Sequence, residues 1–428
     1  MKNPFKAFIC TISLLPLISL VTKAQTDGIV LASASVAPAP EQMIQLSAPK
    51  EEENNNNIEG KLSVSGYFDT YYFANLNNPS TRNNLGASGI SRGFDRYPGQ
   101  FQLGMFMTRT AYNYKNTEMV GEIGYGPNVE YGSYGNDFRY KWGTIIANST
   151  YSAIMIKQAY ITTKASEKLS FTMGQFGTHI GYEMIDAPLN FHYSINNTFN
   201  AGIPFYHLGV KANYSATEKI GLMAGLVNGT DNINDNNRGK SFIGQLSWLP
   251  TENLSIYFNT IQGNEANARA TGKDTASYFG VLDLVANYKL SDRWSITYWG
   301  MRGTLRGEFQ GSGYDAKSKH WFGSSVYLTY IISNTVSIGT RIEYFDNRDG
   351  ARSLLTHGKG TDAETLTLTA KFSLADDRLQ IKPEFRIDHF RKITSSNGED
   401  ALQQFADQNG NFTKTNQATL GVAAIYKF

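Results

Sequence analysis

Apolar and polar residues alternate along most of the chain beyond residue 60, which is the two-residue period of a β-strand with two different faces. The clearest run places apolar residues on one parity and polar residues on the other: Leu366, Leu368, Ala370, Phe372 and Leu374 against Thr365, Thr367, Thr369 and Lys371. The stretches 254–259, 336–344 and 379–388 alternate in the same way. One face lacks charge and the other collects it, which predicts antiparallel strands with one apolar side.

Short and long connections alternate strictly between these strands. Seven are compact polar turns typical of β-hairpins, at 114–118, 163–168, 215–219, 249–253, 289–293, 332–335 and 374–378. Eight are longer and rich in Gly, Asn and Asp, at 76–97, 127–151, 178–203, 230–239, 265–275, 303–319, 346–361 and 393–414. Seven hairpins supply fourteen strands, and one more strand at each end makes about sixteen.

The order of the connections favours one all-β architecture over another. A soluble sandwich has no reason to sort its loops by length, whereas a transmembrane antiparallel up-and-down β-barrel has short periplasmic turns and long extracellular loops. No apolar run after residue 24 approaches the ~20 residues of a membrane-spanning helix. Aromatic residues, which suit the membrane–water boundary, stand beside the short turns: Tyr114, Tyr214, Trp248, Tyr288, Trp294, Tyr330, Phe372 and Tyr426. We therefore expect a barrel with both termini in the periplasm.

The first residues have the pattern of a secretory signal peptide. Lys2 and Lys6 precede an apolar run at 8–21, and a small-residue cleavage site follows, so we expect residues 1–24 to be removed. Cys10 would leave with them, which excludes disulfides and thiol catalysis in the mature chain. Residues 25–59 carry Ala-Pro repeats and runs of Glu and Asn, which predicts a flexible periplasmic segment before the barrel at 60–428.

Charge on the polar faces bears on what the barrel encloses. Without the three lysines of the signal peptide the chain carries 36 basic and 37 acidic residues, so nothing indicates a nucleic-acid partner. A barrel of about sixteen strands is too wide for side chains to fill and leaves an aqueous channel. We predict that this channel is weakly selective and is lined by charges of both signs: Asp69, Lys157, Lys211, Arg341, Glu343, Lys371, Lys382, Glu384, Arg386 and Asp388.

The third long connection is unusually apolar for a loop in water, with Ile180, Met184, Ile185, Leu189, Phe191 and Phe199. We expect it to fold inward as a constriction loop whose apolar residues pack on the wall. His179, Glu183, Asp186 and His192 would then edge the opening. An external cap or a contact between subunits is the alternative.

The sequence offers little support for metal or catalytic chemistry. His179, Glu183 and His192 lack a metal-binding spacing, and the Asn- and Asp-rich run at 231–236 lacks the central glycine and distal glutamate of a calcium loop. No Ser-His-Asp set and no phosphate-binding glycine loop is recognisable. We therefore expect no cofactor, no metal and no enzyme activity, although a hydrolase site assembled only in three dimensions stays open.

Four motifs resemble the putative β-barrel porin-2 family of Gram-negative outer membranes: GYFDTYY at 66–72, GQFGTHIGYE at 174–183, IPFYHLGV at 203–210 and LVNG at 226–229. The resemblance implies a porin-like outer-membrane barrel and transfers no catalytic or binding residue. It leads us to expect passive diffusion of small hydrophilic solutes or ions. A non-conducting barrel that acts as a surface scaffold or adhesin is the alternative.

The final residue suggests one partner beyond lipid and solutes. Phe428 closes an alternating stretch, as the last aromatic of outer-membrane barrels typically does, so we expect it to engage the barrel-assembly machinery. A homotrimer is compatible with a barrel of this size, but no sequence feature fixes it.

Overall fold

The computed structural model describes residues 60–87, 91–132, 154–267, 277–309, 315–393 and 403–428. The signal peptide predicted at 1–24 and the segment at 25–59 lie outside this range and stay predictions. The strands are β1 (Lys61–Asn75), β2 (Phe101–Tyr114), β3 (Thr117–Tyr125), β4 (Ile154–Lys164), β5 (Leu169–Gly177), β6 (Tyr206–Ser215), β7 (Ile220–Val227), β8 (Ser241–Thr251), β9 (Leu254–Gly263), β10 (Tyr278–Lys289), β11 (Trp294–Gly307), β12 (Asp315–Ile331), β13 (Val336–Asn347), β14 (Leu355–Thr356), β15 (Lys359–Leu374), β16 (Leu379–Phe390) and β17 (Asn416–Lys427).

The strands form a closed antiparallel barrel. Each long strand pairs with the next one along the chain, and β1 pairs with both β2 and β17, so the sheet has no free edge. The two-residue strand β14 pairs only with β15, inside a connection, and leaves sixteen strands in the wall. The predicted fold class and strand number are confirmed. No described helix is long and apolar enough to cross a membrane.

The connections agree with the predicted order of short turns and long loops. All seven predicted short turns join consecutive strands of the wall. Two of the long connections are shorter than expected, because β11 continues to Gly307, β12 begins at Asp315 and β13 continues to Asn347. Backbone pairing continues past the apolar band there, since polar side chains above that band face water without cost. The third long connection follows β5 and precedes β6.

The faces of the strands are sorted as the alternation predicts. Along β16, Lys382, Glu384 and Arg386 are almost completely buried, while the residues between them are partly exposed on the outside. Leu282 and Met173 expose 63% and 72% of their surface on the outer face. Six of the eight predicted boundary aromatics are exposed beside the short turns, and the rings of Trp294 and Tyr330 contact each other in a tilted arrangement with 4.5 Å between centroids.

Residues 178–205, which we call the internal segment, lie inside the barrel against inward-facing residues of many strands. The segment contains a 3₁₀ turn at Ala187–Leu189 and one π-helical turn at Thr198–Gly202. Two wall glycines allow its close approach. A Cβ on Gly323 would lie 2.3 Å from the Thr198 hydroxyl, and one on Gly339 would lie 2.4 Å from the Phe191 ring. The wall and the segment therefore fit each other at these positions only because glycine has no side chain.

Candidate functional site

Acidic side chains of the wall hold the backbone of the internal segment. Glu384 on β16 accepts hydrogen bonds from the backbone N–H groups of Tyr193 (2.7 Å) and Ser194 (3.1 Å). Glu343 on β13 accepts one from the N–H of Asn197 (2.9 Å). These carboxylates satisfy main-chain donors that would otherwise be buried without partners, which would cost about 1–3 kcal/mol each.

A salt bridge at the centre of the barrel joins the segment to β13. Arg341 donates to Glu183 at 2.5 Å and to the carbonyl of Ser194 at 2.7 Å. Glu183 also accepts from the backbone N–H of Asn196 (2.8 Å) and the hydroxyl of Tyr327 (3.0 Å). Both charges are almost fully buried, so each depends on the other and on these hydrogen bonds.

Basic side chains of β16 bind the carbonyl groups of the same segment. Lys382 donates to the carbonyls of Ala187 (2.8 Å) and Asn190 (2.5 Å). Arg386 donates to the carbonyl of Ile195 at 2.6 Å and pairs with Asp388 at 2.7 Å. Cations on the wall therefore hold backbone acceptors, just as the wall acids hold backbone donors.

Two further charges attach the segment to the first strands of the barrel. Asp69 on β1 accepts a hydrogen bond from the Tyr193 hydroxyl at 2.6 Å. Lys157 on β4 forms salt bridges with Glu122 (2.9 Å) and with Asp186 of the segment (2.7 Å). Attachments to β1, β4, β13 and β16 hold the segment from several sides of the barrel.

The four residues predicted to edge the opening do not share one environment. The Nε2–H group of His179 donates to the carbonyl oxygen of Thr260 in the wall at 3.0 Å. His192 lies 2.7 Å from the Thr369 hydroxyl. His179, Glu183 and His192 are buried against the wall, whereas Asp186 lines a large cavity.

A cavity of about 940 Å³ lies between the internal segment and the wall formed by β4, β5 and β6. The wall side includes Lys157, Gln158, Thr172, Phe176 and Lys211, and the segment side includes Met184, Ile185, Asp186, Phe199 and Phe205. The lining continues to the short turns near residues 116, 166 and 217, so the cavity opens at that end of the barrel. The interior is divided into a side filled by the segment and an open side.

The ten charges predicted to line a channel divide between the filled side and the open side of the interior. Seven of them lie on the filled side, in contact with the segment or with each other: Asp69, Arg341, Glu343, Lys382, Glu384, Arg386 and Asp388. Lys371 pairs with Asp377 at 3.5 Å, close to a short turn. Lys157 and Lys211 border the cavity.

Lys211 differs from Lys157 because its charge is not neutralised. Its ammonium lies 4.3 Å from the centroid of the Phe176 ring. Throughout the described ranges, no carboxylate oxygen lies within 4 Å of it. Lys211 is therefore a basic residue of the cavity wall without a carboxylate partner among the described residues.

Sequence reasoning did not identify some of the residues that build this interior. Arg92, from the first long connection, pairs with Asp388 at 3.0 Å and with Asp95. Asn196 and Asn197 of the segment bond to wall residues on β12, β13 and β15. For Asn196 and Asn197 the available signal was their adjacency within an inward-folding connection, and no local pattern pointed to Arg92.

No metal-binding cluster is present among the residues that the structure describes, where no three His, Cys, Asp or Glu side chains are grouped suitably. His179 and Glu183, which could be considered as ligands from sequence, have protein partners instead.

A closed sixteen-stranded antiparallel barrel with an apolar exterior, and with a polar interior narrowed by a segment from the wall, is the architecture of porin-type proteins of Gram-negative outer membranes. The family model described as putative beta-barrel porin-2, OmpL-like, matches residues 61–428. The chain belongs to this family, as its sequence motifs suggested. No curated protein matches the chain in sequence.

Solved porin structures share the fold at low sequence identity. OmpT of Vibrio cholerae is 11% identical with a TM-score of 0.51, over 88% of this chain and 99% of that one. The anion-selective porin from Comamonas acidovorans is 11% identical with a TM-score of 0.53, over 86% and 100%. The channel DcaP of Acinetobacter baumannii is 11% identical with a TM-score of 0.53, over 88% and 99%. These similarities establish the barrel fold.

Proposed function

We propose that this porin-like barrel is a passive diffusion channel for small hydrophilic solutes and ions. The observation that carries the proposal is the cavity of about 940 Å³ beside β4–β6, whose lining combines polar and apolar surface in similar amounts. Solutes pass along this side, because the internal segment occupies the opposite side of the interior. No energy-coupling domain is recognisable in the sequence, so transport follows the concentration gradient.

The proposed orientation places the short turns and both termini in the periplasm and the long connections outside, as is usual for outer-membrane barrels. Phe428 supports this assignment through its place in the wall, where its backbone exchanges two hydrogen bonds of 3.0 Å with Gly66. Its ring contacts Phe106 on the outer face. We assign Phe428 as the residue that the barrel-assembly machinery recognises.

We also propose a homotrimer as the assembled state. One solved structure of V. cholerae OmpT, 12% identical with a TM-score of 0.50 over 86% of this chain and 99% of that one, is described as a trimer form. Trimers are compatible with a wall whose outer face is largely apolar.

Planar-bilayer recording of the purified mature protein tests the channel proposal. Stable open steps in potassium chloride are expected, and persistent silence of protein shown to be folded by heat-modifiable migration would contradict it. Silence would support the second candidate, a non-conducting scaffold or adhesin. The dense packing of the internal segment around Arg341 is the observation that favours this alternative.

A further inference from the structure

Two arginines on β11 interrupt the apolar outer face of the barrel. Arg302 and Arg306 on β11 are exposed, while Met301 and Leu305 beside them are buried inside. Arg302 pairs in register with Leu282 on β10 and Phe322 on β12. Those two neighbours expose 63% and 39% of their surface, so the guanidinium of Arg302 stands among lipid-facing apolar side chains.

Neither guanidinium has a partner within the part of the chain that the structure describes. No carboxylate, hydrogen-bond acceptor or aromatic ring contacts Arg302 or Arg306. Acids toward the same end of the barrel are engaged elsewhere: Asp315 pairs with Lys319, Asp346 pairs with Arg348, and Asp362 pairs with Arg391 at 3.4 Å. The two positive charges are therefore available to an external anion.

Their height on the wall indicates where that anion lies. Trp294, at the short-turn end of the same strand, marks one boundary of the membrane. With a rise of about 3.3 Å per residue and a strand tilt of about 40°, Arg302 stands about 20 Å above Trp294, and Arg306 about 30 Å above it. The apolar band of such barrels is about 25 Å tall, so the two arginines straddle its far boundary.

We propose that Arg302 and Arg306 bind the phosphates of a lipid headgroup in the outer leaflet. An arginine on the lipid face is costly near the midplane, and this cost falls toward the interface, where phosphate oxygens accept paired hydrogen bonds from a guanidinium. The two residues are about 13 Å apart along the strand, so each takes a separate phosphate. The ligand is a diphosphorylated glycolipid, an assignment that rests on the proposed orientation with the long connections outside.

Lipid binding by the folded full-length mature protein in detergent tests this site. The probes are diphosphoryl lipid A, monophosphoryl lipid A and phosphatidylglycerol, with bound lipid counted by native mass spectrometry across a concentration series. We expect the Arg302→Gln and Arg306→Gln variants each to bind diphosphoryl lipid A about tenfold more weakly, because each loses one charge-assisted contact. Arg293→Gln, an equal charge change in an exposed short turn of the same strand, should leave binding unchanged.

Several outcomes would overturn the proposal. Equal binding of diphosphoryl lipid A by the variants and the wild type would show that these arginines do not form the site. Tighter binding of phosphatidylglycerol would place these arginines at the inner leaflet and contradict the orientation, whereas the channel proposal would survive if conductance is normal. Loss of oligomers in the variants, with lipid binding retained, would assign the arginines to a contact between copies of the chain. Gln preserves much of the side-chain stem, and heat-modifiable migration verifies that each variant folds.

Discussion

Several charged residues inside this barrel bind backbone groups of the internal segment. Glu384 binds N–H groups of the internal segment, and Lys382 binds its carbonyls. The alternation of the sequence predicted that both side chains point inward. It could not predict their partners, because those lie more than 180 residues away along the chain and no local pattern records such a distance.

One buried acid in a long connection predicts a measurable dependence on pH. Burial raises the pKa of Glu265 to about 7, although hydrogen bonds from Ser241 and Thr230 oppose the shift. An acid with a raised pKa in the folded state makes folding less favourable as pH rises. Stability should therefore fall by up to about 3 kcal/mol between about pH 4.5 and pH 7 and then level off.

The temperature at which heat-modifiable migration is lost, measured from pH 4 to pH 9, checks this expectation. Glu265→Gln is the matched variant, because the amide stays neutral and the Ser241 hydroxyl can turn to accept a hydrogen bond from it. The fall between pH 4.5 and 7 should become smaller in that variant. An unchanged profile would show that Glu265 does not titrate in this range.

At the scale of elements, the strands and short turns were predictable because they depend on nearest neighbours. A two-residue period fixes the face of each side chain, and polar turn residues fix where each hairpin reverses. The inward position of residues 178–205 was indicated only by misplaced apolar residues such as Ile180 and Phe199. The exact position of this segment depends on contacts such as that between Phe191 and Gly339, which form only when the wall is complete.

Removing the internal segment should widen the passage. Gly177 and Tyr206 are direct partners at the ends of β5 and β6, so a four-residue Gly/Ser turn can replace residues 178–205 without breaking the hairpin. Since the segment fills one side of a wide barrel, we expect a several-fold rise in single-channel conductance. The measurement is planar-bilayer recording of the folded variant.

The control replaces the exposed turn at 407–411 with Gly/Ser residues, which should not alter conductance. Equal conductance of the wild type and the variant without the segment would show that this segment does not limit the flow of ions.

At the scale of the whole molecule, the positions of the interior charges lead us to propose a channel that is more selective than the sequence predicted. Of the seven predicted charges on the filled side, Arg341, Glu343, Arg386 and Asp388 form ion pairs, while Asp69, Lys382 and Glu384 bind polar groups of the internal segment. Lys211 is left facing the cavity without a carboxylate partner among the described residues. From the sequence, all inward charges were expected to line the channel alike, because the sequence does not show which of them the internal segment covers.

A preference for anions should follow from this imbalance. In a potassium chloride gradient across a planar bilayer, the wild-type reversal potential should indicate anion selectivity, and Lys211→Glu should shift it toward cations. Arg293→Glu, an equal charge change in an exposed short turn, should have little effect. Identical reversal potentials for Lys211→Glu and the wild type would place the ion path away from Lys211.

The contacts of Tyr193 have a consequence for how the protein is made. Its hydroxyl bonds to Asp69, 124 residues earlier, and its N–H bonds to Glu384, 191 residues later, on either side of the seam where the last strand meets the first. When a ribosome has just released residue 193, Glu384 does not yet exist. We therefore expect Tyr193 to take its final position in the same late step in which the last strand joins the first and the barrel closes. In an intermediate that has not closed, the backbone N–H of Tyr193 lacks this acceptor and is accessible to a chaperone.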